Sequence, residues 1–294
     1  MPVYNEADIV GQVIEHLRKQ KIDMIIADDA SSDATVKICE RYIQRGVLEV
    51  LKERPHERWD MRRQKARLHE TARKYQPDWE LVCGGDDFLE SPYRGLTVND
   101  AIKMEQDKGY NLIQFNCFEF WPTEKDPQDV MDVRKRIRYY SWNDDMQFRC
   151  WHVSSEMPII RVDGHLPEFK QGSPLRVSPN KFVLRHYRFR SYEHGLRKVF
   201  MERLPRYSPE EREAGMHHQY DKFERDRRHF VLDSSRLTRY EEDGNWNLIR
   251  TFGGPLDFWQ PESSNQRLIA MQDEIRALQA KLNKIETASG ADQG

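Results

Sequence analysis

Residues 24–35 read MIIADDASSDAT. The apolar run Met24, Ile25, Ile26, Ala27 stops at two adjacent carboxylates, Asp28 and Asp29. A Ser-Ser-Asp-Ala-Thr segment then leads into VKICERYI, whose apolar residues have helical spacing. This is the pattern of a short buried strand running into a helix. Asp and Ser are ordinary turn and N-cap residues, which is one sufficient reason for finding them there. The other reason is a ligand site, because open α/β sheets bind ligands beyond the carboxyl ends of their strands.

Upstream, ADIVGQVIEHLRKQ (7–20) sets Ile9, Val10, Val13, Ile14 and Leu17 at helical spacing, with Asn5 as a candidate N-cap. Downstream the pattern predicts a helix over 33–45, a strand VLEVLKE (47–53), a basic helix over 60–75 and a strand PDWELVCGGDD (77–87). A helix over 97–108 and a long strand YNLIQFNCFEFW (110–121) follow. Such alternation with short connections predicts an α/β fold with a mostly parallel, Rossmann-like sheet and flanking helices. Asp86 and Asp87, like Asp28 and Asp29, then fall at a strand's carboxyl end.

Residues 122–190 read as an acid-rich loop followed by short strand-like pieces such as YYSW and KFVLRHYRF. Helical stretches follow at about 191–204 and 209–230 by the same spacing rule. In 264–287, Leu268, Met271, Ile275, Leu278, Leu282 and Ile285 form a heptad seam, either a coiled coil or one amphipathic helix docked on its own domain. The expected organisation is a domain over 1–235, an irregular extension over 236–262, a coiled-coil helix over 263–287 and a flexible tail over 288–294. The turn-like PVYNE directly after Met1 reads as a chain missing its first few residues, or one cut from something longer.

Composition narrows the function classes. The 47 Lys+Arg and 49 Asp+Glu nearly cancel, so no general field attracts nucleic acid or a membrane. The basic run RWDMRRQKAR (58–67) sits on one amphipathic helix and fits a solvated face with one or two nucleotide contacts. Cys39, Cys83, Cys117 and Cys150 have no CxxC or metal-ligand spacing and fit free thiols in a reducing compartment. No apolar run approaches the ~18–20 residues of a membrane span, and no signal peptide is present, so the expectation is a cytoplasmic protein or one peripheral to the inner membrane.

Asp86 and Asp87 follow Gly84 and Gly85. Adjacent carboxylates suit a hard divalent cation, Mn²⁺ or Mg²⁺, which in turn clamps a diphosphate, and the glycines let backbone approach a nucleotide. An Asx-turn is the plainer alternative.

PVYNE (2–6), DDASSDAT (28–35) and PDWELVCGGDDFL (77–89), in that order and spacing, resemble the three landmarks of family 2 glycosyltransferases with the GT-A fold, over roughly residues 1–120. The resemblance implies that Pro2, Val3 and Tyr4, with Glu6 nearby, line the base and ribose of a nucleotide-sugar, most simply a UDP-sugar. It implies that Asp29 accepts a hydrogen bond from the base, that Arg67 faces the nucleotide, and that Asp86 and Asp87 are the metal-and-ribose acids. Gly84 stands where the commoner Asp-x-Asp-Asp arrangement has its first acid.

The segment 161–198 is similar to a subset of these enzymes. That likeness makes His186 a candidate metal ligand, since neutral imidazole can complete a site begun by carboxylates. It puts Arg188 and Lys198 near the diphosphate leaving group. The plainer alternatives are a structural His186 and a solvated strand face carrying Arg188 and Arg190. For the catalytic base the first candidate is Glu168, with His165, Asp163, Asp144 and Asp145 as competitors. The implied activity is metal-dependent, inverting transfer of a sugar to an acceptor hydroxyl on a glycan. Its rivals are a catalytically inactive GT-A-like scaffold acting through the coiled coil, and a sugar nucleotidyltransferase, whose Gly-rich phosphate loop PVYNEAD lacks. The heptad segment would serve self-association or connect to a further domain.

Overall fold

The run at 24–28 forms the middle strand of a parallel three-stranded sheet: β1 (Pro2–Val3), β2 (Met24–Asp28) and β3 (Val47–Lys52), in the order β1-β2-β3. The structure, a computed structural model, describes residues 1–53, 58–163, 166–207 and 220–240. His165, the extension past residue 240, the heptad segment 263–287 and the tail 288–294 lie outside the described residues, as do the side chains of Asp144, Asp145 and Asp163.

Helix α1 (Val10–Lys19) buries Val10, Val13, Ile14 and Leu17, the face that its spacing predicts. Asn5 does not cap it. The cap position is Ile9, without a side-chain hydrogen bond, and Val10 N donates to the Glu6 carbonyl at 2.8 Å. Asn5 instead has φ 52°, in the left-handed region that Asn tolerates. Its Oδ1 accepts from Ser32 N at 2.8 Å and its Nδ2 donates to Glu202 Oε1 at 3.0 Å. Helix α2 (Thr35–Glu40) is shorter than expected, because the chain turns through Gln44 and Gly46, both at positive φ, to enter β3. Helix α3 (Met61–Arg73) is capped by Asp60, whose carboxylate accepts from Arg63 N at 2.9 Å.

The remaining strands correct the expectation of a mostly parallel sheet. The 77–87 segment is broken by the Gly84-Gly85 turn into β4 (Trp79–Leu81) and β5 (Asp87–Glu90). After α4 (Val98–Asp107), β6 (Leu112–Trp121) is followed by a loop carrying only the short α5 (Val133–Arg136), then by β7 (Tyr139–His152). With no crossover helix between them, β6 and β7 pair antiparallel. β8 (Ile159–Asp163) and β9 (Leu166–Phe169) form a separate antiparallel pair. β10 (Phe182–His186) lies parallel to β6 and antiparallel to β5, and β11 (Thr238–Arg239) closes the far edge on β7. The large sheet therefore runs β11-β7-β6-β10-β5, with β4 also on β7. β11 lies past residue 235, so the start of the expected extension belongs to this sheet.

β6 is buried along its whole length, with Phe115, Phe118 and Phe120 packed against Phe182 and Tyr187 from β10 and the residue after it. Beyond β10 come α6 (Tyr192–Leu196), a π-helical segment (Arg197–Arg203) and a 3₁₀ turn (Leu204–Arg206), then α7 (Asp221–Arg225). Phe189, Phe223 and Phe230 form a second aromatic cluster that seats this unit against Trp121. Among the described residues no helix is long and apolar enough to cross a membrane.

Candidate active site

The site begins with strand register. On adjacent strands, Glu119 of β6 stands opposite His186 of β10, and His186 stands opposite Asp87 of β5. One rung of the sheet thus lines up a carboxylate, an imidazole and a second carboxylate. The turn before β5 adds Asp86, whose backbone carbonyl accepts from Tyr187 N at 3.0 Å.

The glycines have steric reasons. A Cβ on Gly84 would lie 2.8 Å from Asp86 Oδ1 and 3.3 Å from Asp87 Oδ2. Gly84 N instead donates to Asp87 Oδ2 at 2.6 Å. An acid at position 84 would displace the two that follow it. A Cβ on Gly85 would lie 2.8 Å from Val3 Cγ1, so this turn packs directly on the end of β1.

The two acids of the opening stretch divide the two explanations between them. Asp28 Oδ2 accepts from Ser31 N at 2.9 Å, closing an Asx-type turn, and burial pushes its carboxyl up. Asp29 lines a cleft of about 310 Å³. Its Oδ2 is 2.6 Å from Arg206 Nη2, and that guanidinium lies 4.2 Å from the Tyr4 ring centre.

The same cleft is lined by Pro2, Val3, Tyr4, Glu6, Asp86, Asp87, His186, Arg188 and Lys198. Arg67 is not among its lining residues. It is paired with Glu53, while Gln64 and Lys65 of the same helix reach the cleft. Glu168 is also absent from the lining: it sits on β9 opposite Arg161. Asp163 and Asp145 are placed only by backbone, on β8 and β7.

Buried ion pairs hold the cleft wall. Lys198 Nζ lies 2.8 Å from Asp86 Oδ2 and 2.9 Å from Glu6 Oε1. Arg190 Nη2 lies 2.5 Å from Glu6 Oε2 and, at the exposed edge of the group, 2.7 Å from Asp8 Oδ1. Arg149 Nη1 lies 2.9 Å from Asp87 Oδ2, and Arg188 Nη2 lies 2.9 Å from Glu119 Oε1. Arg188 and Arg190 are therefore not a solvated strand face.

Burial pushes the Asp86 carboxyl up, but Lys198 and His186 outweigh it and hold the group well below the usual carboxylate range. Glu119 is likewise pushed up by burial and pulled down further by His186 and Arg188, to about 2. His186 is pushed down by burial and held well above its ordinary value by Glu119 and Asp86.

Asp86, Asp87 and His186 each offer a ligand atom, and these atoms all lie within 4.8 Å of one another. Asp87 Oδ1 is buried with no hydrogen-bond partner among the described residues. A buried carboxylate oxygen without a donor is costly, and a divalent cation would satisfy it. The two carboxylate oxygens suit Mg²⁺ or Mn²⁺, and the imidazole nitrogen favours Mn²⁺ of the two.

Glu119, Arg149, Asn143 and Gln147 also line the cleft and were not singled out from sequence. Glu119 did carry a signal: it is the one ionisable carboxylate in a ten-residue strand otherwise dominated by apolar and aromatic residues.

Residues 1–83 match the family model described as glycosyl transferase family 2, so this segment is family 2-like, as PVYNE and DDASSDAT suggest. The match ends one residue before Gly84. The mixed α/β architecture, with its parallel first sheet and largely antiparallel second sheet, is consistent with a GT-A-like fold. Among solved structures, the chain is similar to S. aureus TarS at 17% identity and TM-score 0.30, over 44% of this chain and 22% of that one. It is also similar to S. aureus TarS 1–349 in complex with UDP-GlcNAc, at 15% identity and TM-score 0.30, over 47% of this chain and 37% of that one. The chain thus spans less than half the length of the solved structures it matches. No curated protein sequence matches it.

Proposed function

We propose that this protein transfers a sugar from a nucleotide-sugar donor, a UDP-sugar in the first instance, to an acceptor hydroxyl on a glycan, with a divalent cation and inversion at the anomeric carbon. The observation that carries this is that Asp29, Asp86, Asp87 and His186 line one cleft, although they come from three separate parts of the chain.

In this scheme Pro2, Val3, Tyr4 and Asp29 hold the base and ribose, and Asp86, Asp87 and His186 hold Mn²⁺ or Mg²⁺. When bound, the cation offsets negative charge on the diphosphate leaving group. Lys198, Arg188 and Arg203 line the same cleft and add fixed positive charge in a partly water-excluded site, where it acts most strongly. Glu6 supports rather than binds: both of its oxygens are taken by Lys198 and Arg190.

Inverting transfer needs a base for the acceptor proton. Glu119, held down to about 2, is too weak a base for that task. Backbone placement favours Asp145, or its neighbour Asp144, over Glu168. Pairing of β6 with β7 jumps from Phe115↔Gln147 to Cys117↔Asn143, so residues 144–146 bulge out between two cleft-lining positions. Bulges recur beside active sites because they re-aim side chains.

Turnover of a panel of nucleotide-sugars, with Mn²⁺ and with EDTA, tests the proposal. Release of nucleoside diphosphate that requires the metal supports it. Binding without turnover of any donor would favour the scaffold alternative, and turnover unaffected by EDTA would remove the role given to Asp86 and Asp87.

A further inference from the structure

Glu119 has no role in the scheme so far, yet it is 6% exposed, near the C-terminal end of a strand that is buried along its whole length. A charge in such a place is costly unless it is held by partners. We infer that Glu119 is a positioning residue for the cation site: it fixes the tautomer and rotation of the His186 ring so that Nε2 presents its lone pair toward Asp86 and Asp87. This inference rests on the cation reading given above.

The geometry is specific. Glu119 Oε1 lies 3.1 Å from His186 Nδ1, and Nε2 on the other side of the ring lies 3.6 Å from Asp86 Oδ2. An ionised carboxylate can only accept hydrogen bonds, so the ring nitrogen facing Glu119 must carry a hydrogen. A nitrogen that ligates a metal must offer a lone pair. With a cation in place, both conditions hold together only when Nδ1 keeps its hydrogen and Nε2 has released any hydrogen it shared with Asp86. Arg188 Nη2 grips the same Oε1 at 2.9 Å, so the carboxylate is held from behind while it holds the ring. The register of β6 against β10 sets Glu119 opposite His186 in the first place. Carboxylates that orient a ligating histidine in this way raise its basicity and stop the ring from turning.

The test is a double-mutant cycle on the full chain, read by Mn²⁺ binding alone at one fixed pH, with no donor present. Glu119→Ala is expected to weaken Mn²⁺ binding by about 10–100-fold in the wild-type background. In a His186→Ala background it should cost nothing further, because its effect runs through the ring. Glu119→Gln keeps an acceptor oxygen and should lose only part of that affinity. A second readout is nitrogen NMR of the Mg²⁺-loaded protein: the His186 ring should carry its hydrogen on Nδ1 in the wild type, and should lose that preference in Glu119→Ala.

Equal losses in both backgrounds would make Glu119 a ligand or a fold element and overturn the inference. So would unchanged Mn²⁺ binding in Glu119→Ala, or a wild-type ring with its hydrogen on Nε2. If Glu119→Ala does not fold, Glu119→Gln and the wild-type tautomer decide the matter. Wild-type protein that binds no Mn²⁺ would remove the cation reading itself, whereas binding with additive losses would remove only the role of Glu119.

Discussion

Lys198 Nζ lies 2.8 Å from Asp86 Oδ2, and the two residues are 112 positions apart in the chain. The contact locks the helical unit after β10 onto the acidic turn before β5. Lys198 also reaches Glu6 at 2.9 Å, so one ammonium joins three segments that each line the cleft.

Removing that ammonium should cost stability as well as function. Lys198 is 4% exposed, so Lys198→Met takes the ammonium from two buried carboxylates and, among the described residues, leaves Asp86 with only the more distant His186, while Glu6 keeps Arg190. Breaking a buried pair from one side typically costs roughly 3–5 kcal/mol. Urea denaturation should show a loss of that size, partly recovered when Asp86→Asn is added, because the second change removes one stranded charge.

Acid should unfold the protein through the same wall. The Glu119 carboxyl is held at about 2 against an ordinary 4.5. Its folded value is depressed, so the stability it contributes is complete above about pH 4.5 and is lost as pH falls toward 2, an effect of about 3 kcal/mol. Asp86 is shifted in the same direction. His186, shifted upward, contributes stability that is complete below its ordinary value of 6.5 and fades as pH rises through its folded value. Stability, read by urea denaturation from pH 6 to 3 (roughly the span in which carboxylates titrate), should fall steeply for the wild type and less steeply for Glu119→Gln.

Gly84 offers a test of the departure from the commoner acidic motif. A methyl group there would press on Asp86 Oδ1 from 2.8 Å. Gly84→Ala should therefore weaken Mn²⁺ binding by more than tenfold while costing about 1–3 kcal/mol of stability, the usual range for overpacking. Gly84→Asp, which would restore an acid at that position, should weaken Mn²⁺ binding too rather than strengthen it.

The neighbours Asp28 and Asp29 should separate cleanly. Asp28→Ala removes the acceptor for Ser31 N and should cost about 1 kcal/mol, as lost caps and turns do, with nucleotide binding unchanged. Asp29→Ala should weaken UDP binding by about tenfold or more, a loss equivalent to roughly 1.4 kcal/mol. Calorimetric titration of both variants with UDP, beside their melting curves, checks the pair.

Much of the first 121 residues was legible in the sequence because period and punctuation are local signals. The 24–28 strand, the α1 face, the 60–75 helix and β6 all follow from spacing, whereas the one cap expected from sequence, Asn5, does not form. Convergence of Asp29 with Asp86 and Asp87 was inferred from two acid-tipped strands in one alternating unit, and the cleft holds all three. The antiparallel majority of the large sheet was not legible, since a strand's direction depends on its partner. For the same reason the Glu119–His186–Asp87 rung was hidden: it exists only through the register of three strands that are distant in sequence. The expected nucleotide contact of Arg67 turns on which face of its helix meets the cleft. Position 67 points to Glu53, whereas 64 and 65 point to the cleft.

The central claim is that one cleft grips a cation-bound nucleoside diphosphate through Asp86, Asp87 and His186. Calorimetric titration of UDP into the wild type and Asp87→Asn, each with Mn²⁺ and with EDTA, tests it most directly. The account predicts binding by the wild type that Mn²⁺ strengthens at least about tenfold, or 1.4 kcal/mol, and that Asp87→Asn no longer responds to the metal. UDP that binds equally well in EDTA, or does not bind at all, would contradict it.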